Sequence, residues 1–233
     1  MNKLVKPVKP INRLAKVDAV PRSVSVQIEK PKFEVATFPI IGTSPLVICR
    51  FSTRVIHGIT AEHGKPGGRG RSTRGKKVID HKLIYEECRY RNSEGWEGFH
   101  ASAPRNAMIS ACRLVGFKMT IAKLSVFTMP DGYDKDEPQI PLVRLYGCKP
   151  VMQQDAVRNT NTGQFSVTTR AAYHDWKADL KIKWDTDQFS LGDIANLLQR
   201  VGTQIGFGCG RYDSPESAGM GWGLFEVEQT SIE

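Results

Sequence analysis

The cleanest hydrophobic pattern in the chain lies at residues 173–185. Trp176, Ala178, Leu180, Ile182 and Trp184 fall on one side, and Lys177, Asp179, Lys181 and Lys183 fall on the other. A period of two predicts a half-buried strand with one solvated face. Residues 33–41 alternate less strictly but are rich in β-branched types and predict the first strand, with a turn at 42–45 and a second strand at 46–51. Residues 96–100 predict a short turn or strand. Residues 120–147 are mixed, with a strand at 142–146 after the acidic turn 131–138.

Helical spacing appears three times. Val78, Ile79, Leu83, Ile84 and Cys88 predict a helix over 78–90. Ser102 as N-cap and Pro104 in the first turn open the strongest helix, whose apolar face is Ala107, Met108, Ala111, Cys112, Leu114 and Val115, with Gly116 as its stop. Ser190 and Asp193 have the spacing of a capping signal, Ile194, Leu197, Leu198 and Val201 follow, and Gly202 is expected to end that helix. A strand at 203–207, a glycine-rich loop and a last strand at 222–227 complete the order. Short strands interleaved with helices, one of them with a polar face, predict an α+β fold with an antiparallel or mixed sheet.

Charge changes this picture more than composition does. The 233 residues carry 40% hydrophobic and 24% charged side chains, enough apolar material for a core. The net charge of +9 is segregated: residues 1–77 hold 16 basic and 4 acidic side chains, whereas 78–233 hold 17 and 20. A concentrated positive field is the footprint of a polyanionic partner, and equally of a solvated basic tail. Residues 1–32 alternate prolines with lysines and arginines and lack apolar periodicity, so they read as an extended basic arm ahead of a single domain, 33–233. Residues 63–77 contain six basic and five glycine residues and no core-forming one, which predicts a long exposed loop. Its Lys65, Arg69, Arg71, Arg74, Lys76 and Lys77, together with nearby Arg54, are the first candidates for phosphate contact.

A second group of candidates lies on the two features that flank the core. Arg105, Asn106 and Arg113 occupy the polar side of the 102–115 helix, where they suit either phosphates and bases or surface carboxylates. Gly206, Gly208 and Gly210, followed by Arg211, alternate through a loop; such glycines let a backbone approach a ligand, or form a bulged turn. Gly219, Gly221 and Gly223 extend the pattern and can equally serve tight packing of Trp222.

Other chemistry lacks a pattern. The segment 58–65 has the wrong spacing for a phosphate loop, and Pro66 stands where Ser or Thr is needed. The five histidines have no metal-ligand spacing, and no nucleophile motif occurs. Cys49, Cys88, Cys112, Cys148 and Cys209 are scattered, which suits reduced thiols that are mostly small core residues. No stretch approaches the roughly 18 apolar residues of a membrane span, and the basic N-terminus lacks a secretory apolar core. The expectation is a protein of a bacterial host's cytoplasm with no metal, cofactor or membrane partner.

Three stretches carry a resemblance. Ile41-Gly-Thr-Ser-Pro-Leu46, Ala103-Pro-Arg-Asn-Ala-Met-Ile-Ser-Ala111, and Ile205-Gly-Phe-Gly-Cys-Gly-Arg-Tyr-Asp-Ser214 followed by Trp222-Gly-Leu-Phe-Glu226 resemble uncharacterised proteins of tailed phages and prophages, over about residues 35–228. Through its glycine-rich loop after a late helix, the chain also resembles the RAMP superfamily, especially the Cas7-like backbone subunits of CRISPR complexes. That resemblance implies a ferredoxin-like βαββαβ core of the RAMP/RRM type and single-stranded RNA held along an oligomeric filament. The histidine set of Cas6-like ribonucleases has no evident counterpart here. The leading expectation is therefore a non-enzymatic, phage-type nucleic-acid-binding protein, a homo-oligomer that favours single strands because nothing resembles a duplex-reading helix. A virion or assembly protein whose arm meets a neighbour or packaged DNA, and a RAMP-like nuclease, are the alternatives.

Overall fold

The computed structural model describes residues 29–50, 80–158, 163, 165–214 and 219–228. In chain order these form β1 (Phe33–Gly42), β2 (Leu46–Ile48), α1 (His81–Glu87), β3 (Tyr90–Arg91), β4 (Glu97–His100), α2 (Ser102–Ala111), α3 (Met119–Ser125), β5 (Val126–Met129), β6 (Gly132–Tyr133), β7 (Pro141–Arg144), β8 (Pro150–Arg158), β9 (Phe165–Tyr173), β10 (Lys177–Asp185), α4 (Leu191–Arg200) and β11 (Phe225–Val227). Most of the basic arm, Arg54, the 63–77 stretch and Val78-Ile79 lie outside the described residues.

The period-two pattern of β10 fixes the main sheet. Ala178, Leu180, Ile182 and Trp184 are buried, while Lys177 and Lys181 are exposed and Asp179 and Lys183 half-buried. β1 pairs antiparallel with β10 in a register that sets Phe38 opposite Leu180 and Ile40 opposite Ala178, so the apolar sides coincide. The sheet order is β11-β1-β10-β5, with every neighbouring pair antiparallel. The chain thus runs strand, helix, strand, strand, helix, strand through β1, α2, β5, β10, α4 and β11. Both connecting helices turn buried side chains, such as Met108 of α2 and Ile194 of α4, into one core with this sheet. Each large apolar side chain buried there contributes about 1.5–3 kcal/mol.

Two further antiparallel sheets, β2-β9-β8 and β3-β4-β7-β6, complete an α+β fold. The sequence pattern did not predict β8 and β9, which pair over nine residues from Pro150–Tyr173 to Arg158–Phe165. Val151, Met152, Val157 and Val167 are exposed in that hairpin, so burial imposes no alternation on it. β9 ends at Tyr173, and the chain turns at Asp175 before β10 begins, so 173–185 is not one continuous strand.

Helix ends depart from expectation in instructive ways. Ser102 does not act as N-cap through its side chain; its N–H instead donates to His100 Nδ1 at 3.0 Å, so an imidazole satisfies that donor. α2 ends at Ala111 and tightens into a 3₁₀ turn, Cys112–Val115, which Gly116 stops in the left-handed region at φ 71°. That tightening turns Leu114 and Val115 outward, 54% and 49% exposed, off the apolar face that a uniform helix would give them. α1 covers only His81–Glu87 before strand β3 begins, with Asp80 accepting from the Leu83 N–H at 3.1 Å. Ser190 and Asp193 do form the reciprocal capping box expected of α4.

Gly202 does not end α4, and 203–207 is not a strand. The helix widens into a π turn, Val201–Ile205, and Gly202 sits against β11: a Cβ there would lie 2.1 Å from the Phe225 carbonyl oxygen. Helical spacing identified the glycine, but its role is close packing of helix on strand. Of the cysteines, Cys88 and Cys112 are buried, Cys148 and Cys209 intermediate, and Cys49 exposed.

Candidate nucleic-acid interface

The segment after α4 builds one wall of a cleft of about 850 Å³. Its floor is aromatic: Phe207 stacks on Phe225 at 4.8 Å between ring centroids and on Phe99 at 5.6 Å. Gly206, Gly208 and Gly210 hold φ of 80°, 69° and 71°, a region where L side chains are strained. The close approach they permit is to the protein itself. A Cβ on Gly206 would meet the Trp222 carbonyl at 2.6 Å, one on Gly208 the Val47 carbonyl at 2.4 Å, and one on Gly210 the Trp222 ring at 2.3 Å. Gly206 and Gly210 therefore pack against Trp222, Gly208 against Val47, Gly221 against Tyr212 and Gly223 against the Phe207 backbone, the packing role that the sequence left open. Their outer side still lines the cleft, and among the described residues the N–H groups of Gly208 and Gly210 find no protein acceptor.

The expected site residues divide. Asn106 of α2, Gly206, Gly208, Gly210 and Arg211 come together on the cleft. The Arg211 guanidinium donates to the Gly208 carbonyl at 3.0 Å, which holds it against its own loop. Arg113 lies beside the cleft and is tied to Asp213, a lining residue. Arg105 is elsewhere: its Nε donates to the Val126 carbonyl at 3.1 Å, its terminal nitrogen donates to the Lys123 carbonyl, and its guanidinium lies 5.6 Å from the Phe127 ring centre. It joins α2 to the corner between α3 and β5. Lys65, Arg69, Arg71, Arg74, Lys76, Lys77 and Arg54 lie outside the described residues.

The opposite wall comes from β8 and β9, which the sequence reading missed. Arg170 of β9 pairs with Asp155 of β8 at 3.1 Å, and its buried Nε finds no hydrogen-bond partner among the described residues. A buried guanidinium N–H without an acceptor costs free energy that an incoming anion can recover. Only pairing with β8 places Arg170 here, so no local sequence signal marks it.

The cleft also holds Cys49, two residues before the 51–79 segment, which lies outside the described residues. Its sulfur is 3.9 Å from that of Cys88. The hydrogen bond between the two thiols and, after it, the Arg170 charge outweigh burial and hold the Cys49 thiol below its ordinary range, at about 6. The Cys88 thiol is pushed upward correspondingly, by that hydrogen bond and then by burial. Arg50, next in sequence, is buried against three carboxylates: buried Asp134 at 3.0 Å, exposed Asp136 at 3.2 Å and Glu137 at 2.9 Å. At the other end of the segment, His81 Nδ1 lies 2.7 Å from the Thr169 hydroxyl, beside Arg170 in β9. His81, after the 51–79 stretch, is thus held on β9, whereas Arg50, before it, is held by the 134–137 turn.

No metal-binding cluster of His, Cys, Asp or Glu occurs among the described residues. His100 lines the cleft, but burial lowers its basicity and its Nδ1 is engaged by the Ser102 N–H. No described helix is long and apolar enough to cross a membrane. In comparison with known proteins, the chain matches no family model and no curated protein.

Proposed function

We propose that this chain is a non-enzymatic nucleic-acid-binding protein that holds a single strand at the cleft and clamps its backbone with the polybasic segment. The observation that carries the reading is a juxtaposition. Asn106, the glycine loop, Arg211 and Arg170, whose Nε finds no partner among the described residues, line one cleft, and Cys49, two residues before the 51–79 segment in sequence, lines it too. The charges described inside the cleft are largely paired, so the positive field that attracts a polyanion comes from Lys65, Arg69, Arg71, Arg74, Lys76, Lys77 and Arg54.

The reading extends to a ferredoxin-like core of RAMP type, a phage origin and self-association in a bacterial cytoplasm. What supports the core assignment is the order β11-β1-β10-β5 with α2 and α4 as crossovers, the split βαβ arrangement. The test is titration of labelled single-stranded RNA, single-stranded DNA and duplex across salt concentrations. About six phosphate contacts give a log–log slope near −4 for a single strand. Replacing the six basic residues of 63–77 by glutamine should lower affinity by orders of magnitude and flatten that slope. An unchanged affinity and slope in that variant refutes the clamp. Equal binding of duplex refutes the single-strand preference.

A further inference from the structure

Two cysteines from distant parts of the chain meet at the edge of the cleft. Cys49 follows β2 and Cys88 ends α1, and their sulfurs are 3.9 Å apart. The Arg50 N–H donates to the Cys88 carbonyl at 3.3 Å. A backbone bond of that kind holds neighbouring chains about 5 Å apart, and disulfides join Cα atoms roughly 4.4–6.8 Å apart. Bringing the two sulfurs to bonding distance, about 2 Å, is therefore a matter of side-chain rotation and leaves the sheets as they are.

The two thiols differ as an attacking and a resolving thiol must. Cys49 is exposed and lines the cleft, where a small oxidant reaches it. Cys88 is buried, so it is not the first to be attacked. The hydrogen bond between the thiols, and then the Arg170 charge, favour the thiolate at Cys49. The same bond, and then burial, keep Cys88 protonated, with the Thr169 carbonyl oxygen 3.5 Å from its sulfur as an acceptor. Cys209, which also lines the cleft, is held above its ordinary range by burial and then by Cys49, so it stays a thiol.

We propose that Cys49 and Cys88 are a modification site for hydroperoxides, at which oxidation closes a disulfide and removes an anion from the cleft. In the first step the Cys49 thiolate attacks one oxygen of hydrogen peroxide. An S–O bond forms, the O–O bond breaks and hydroxide leaves; the sulfur, oxidised by two electrons as the peroxide is reduced, becomes a sulfenic acid. In the second step the Cys88 sulfur attacks the Cys49 sulfur. The S–S bond forms, the S–O bond breaks, and the hydroxyl departs with the Cys88 proton as water. The first step prepares the second. The hydrogen bond and the charge of Cys49 are among the causes that hold Cys88 protonated, and both are gone once Cys49 is a neutral sulfenic acid.

The chemistry of the pair is independent of the nucleic-acid reading above; its effect on binding rests on that reading. In the reduced protein Arg170 faces two anions, Asp155 at 3.1 Å and the Cys49 thiolate. The disulfide is neutral, so oxidation makes the cleft more favourable to a phosphate by one charge. On the scale of a single phosphate contact this steepens the log–log salt slope by about 0.7 and raises affinity about threefold near physiological salt.

The experiment treats the reduced full chain at neutral pH with a small excess of hydrogen peroxide and follows every cysteine by mass spectrometry of unreduced peptides. The expected product is a single chain that has lost two hydrogens, with the Cys49 and Cys88 peptides joined, Cys112 and Cys148 unmodified, and full reversal by dithiothreitol. Cys88→Ser should stop at a Cys49 sulfenic acid that dimedone traps, and Cys49→Ser should leave Cys88 a thiol at the same dose. The peptide map of the parent decides the pairing without either variant. No disulfide in the parent, a bond from Cys49 to Cys209, a bond between chains, or Cys49 driven on to sulfinic acid overturns the pair as a site. Anisotropy titration of oligo-dT and oligo-rU then compares reduced and oxidised protein. Tighter binding after oxidation is expected, as is a reduced Cys49→Ser variant that already binds like the oxidised parent and ignores peroxide. Equal or weaker binding once the disulfide has formed overturns the charge effect on the cleft. Binding by neither form refutes the nucleic-acid reading, and with it that effect, while the peptide map still decides the pair.

Discussion

Gly208 and Val47 meet backbone to backbone. The Cys209 N–H donates to the Val47 carbonyl at 2.8 Å, and a Cβ on Gly208 would lie 2.4 Å from that same oxygen, at a φ of 69°. The hydrogen bond thus joins the glycine loop to β2 at a distance that no side chain tolerates. Gly208→Ala should destabilise the protein by at least about 2 kcal/mol, combining the left-handed penalty with a clash against rigid backbone. Gly116→Ala is the control: its φ is 71° but open space surrounds it, so about 1 kcal/mol is expected. Thermal unfolding of the two variants side by side checks the difference.

Arg50 is fixed by the 134–137 turn rather than by the cleft. Its side chain is 6% exposed and that of Asp134 is fully buried. Arg50→Ala leaves a buried carboxylate without its cation, and a loss of about 3–5 kcal/mol is expected. Replacing Asp134 by Asn in the same variant should recover part of that loss, because the stranded charge is gone. Urea unfolding of the single and double variants measures the coupling.

Cys49 should be the thiol that reacts at low pH. Its folded pKa is about 6, so the nucleophilic thiolate predominates above that pH and disappears as pH falls through it. Initial alkylation by iodoacetamide should rise with a midpoint near pH 6 and map to Cys49 by peptide mass. The sign for stability is the same: a depressed pKa stabilises the fold above the unfolded thiol's range, and that contribution is lost as pH falls through about 6. Cys88→Ala removes the hydrogen bond between the two thiols and should move the alkylation midpoint upward.

At α4, Ser190 and Asp193 exchange hydrogen bonds, Asp193 N to Ser190 Oγ at 3.2 Å and Ser190 N to Asp193 Oδ2 at 2.9 Å. Ser190→Ala should cost about 1 kcal/mol. These bonds from Ser190 lower the Asp193 pKa, so the capping contribution is present above the ordinary carboxylate range and lost as acid protonates Asp193. The gap in melting temperature between parent and variant should therefore narrow at low pH.

Much of the main sheet was determined by the sequence alone. The alternation in 177–185 specifies which side of β10 is buried, because a one-residue slip would put Lys181 and Lys183 into the core. The capping box of α4 and the stop at Gly116 are local chemistry, readable from neighbouring residues. The sequence also singled out Asn106, the three loop glycines and Arg211, each next to a helix or a glycine pattern, and these residues line one cleft. What only the tertiary structure decided are relations between distant segments. β8 and β9 pair across a polar hairpin whose exposed faces impose no hydrophobic period, and with them Arg170 reaches the cleft. The glycines gained their reason only when Val47 and Trp222 arrived against them. Arg105 shares a helix with Asn106, yet carbonyls of α3 and β5 draw it to the opposite side of the fold. Hydrophobic periodicity reports which side of an element is buried. It does not report which residue of another element will stand across from it, and that contact decides what a polar side chain does.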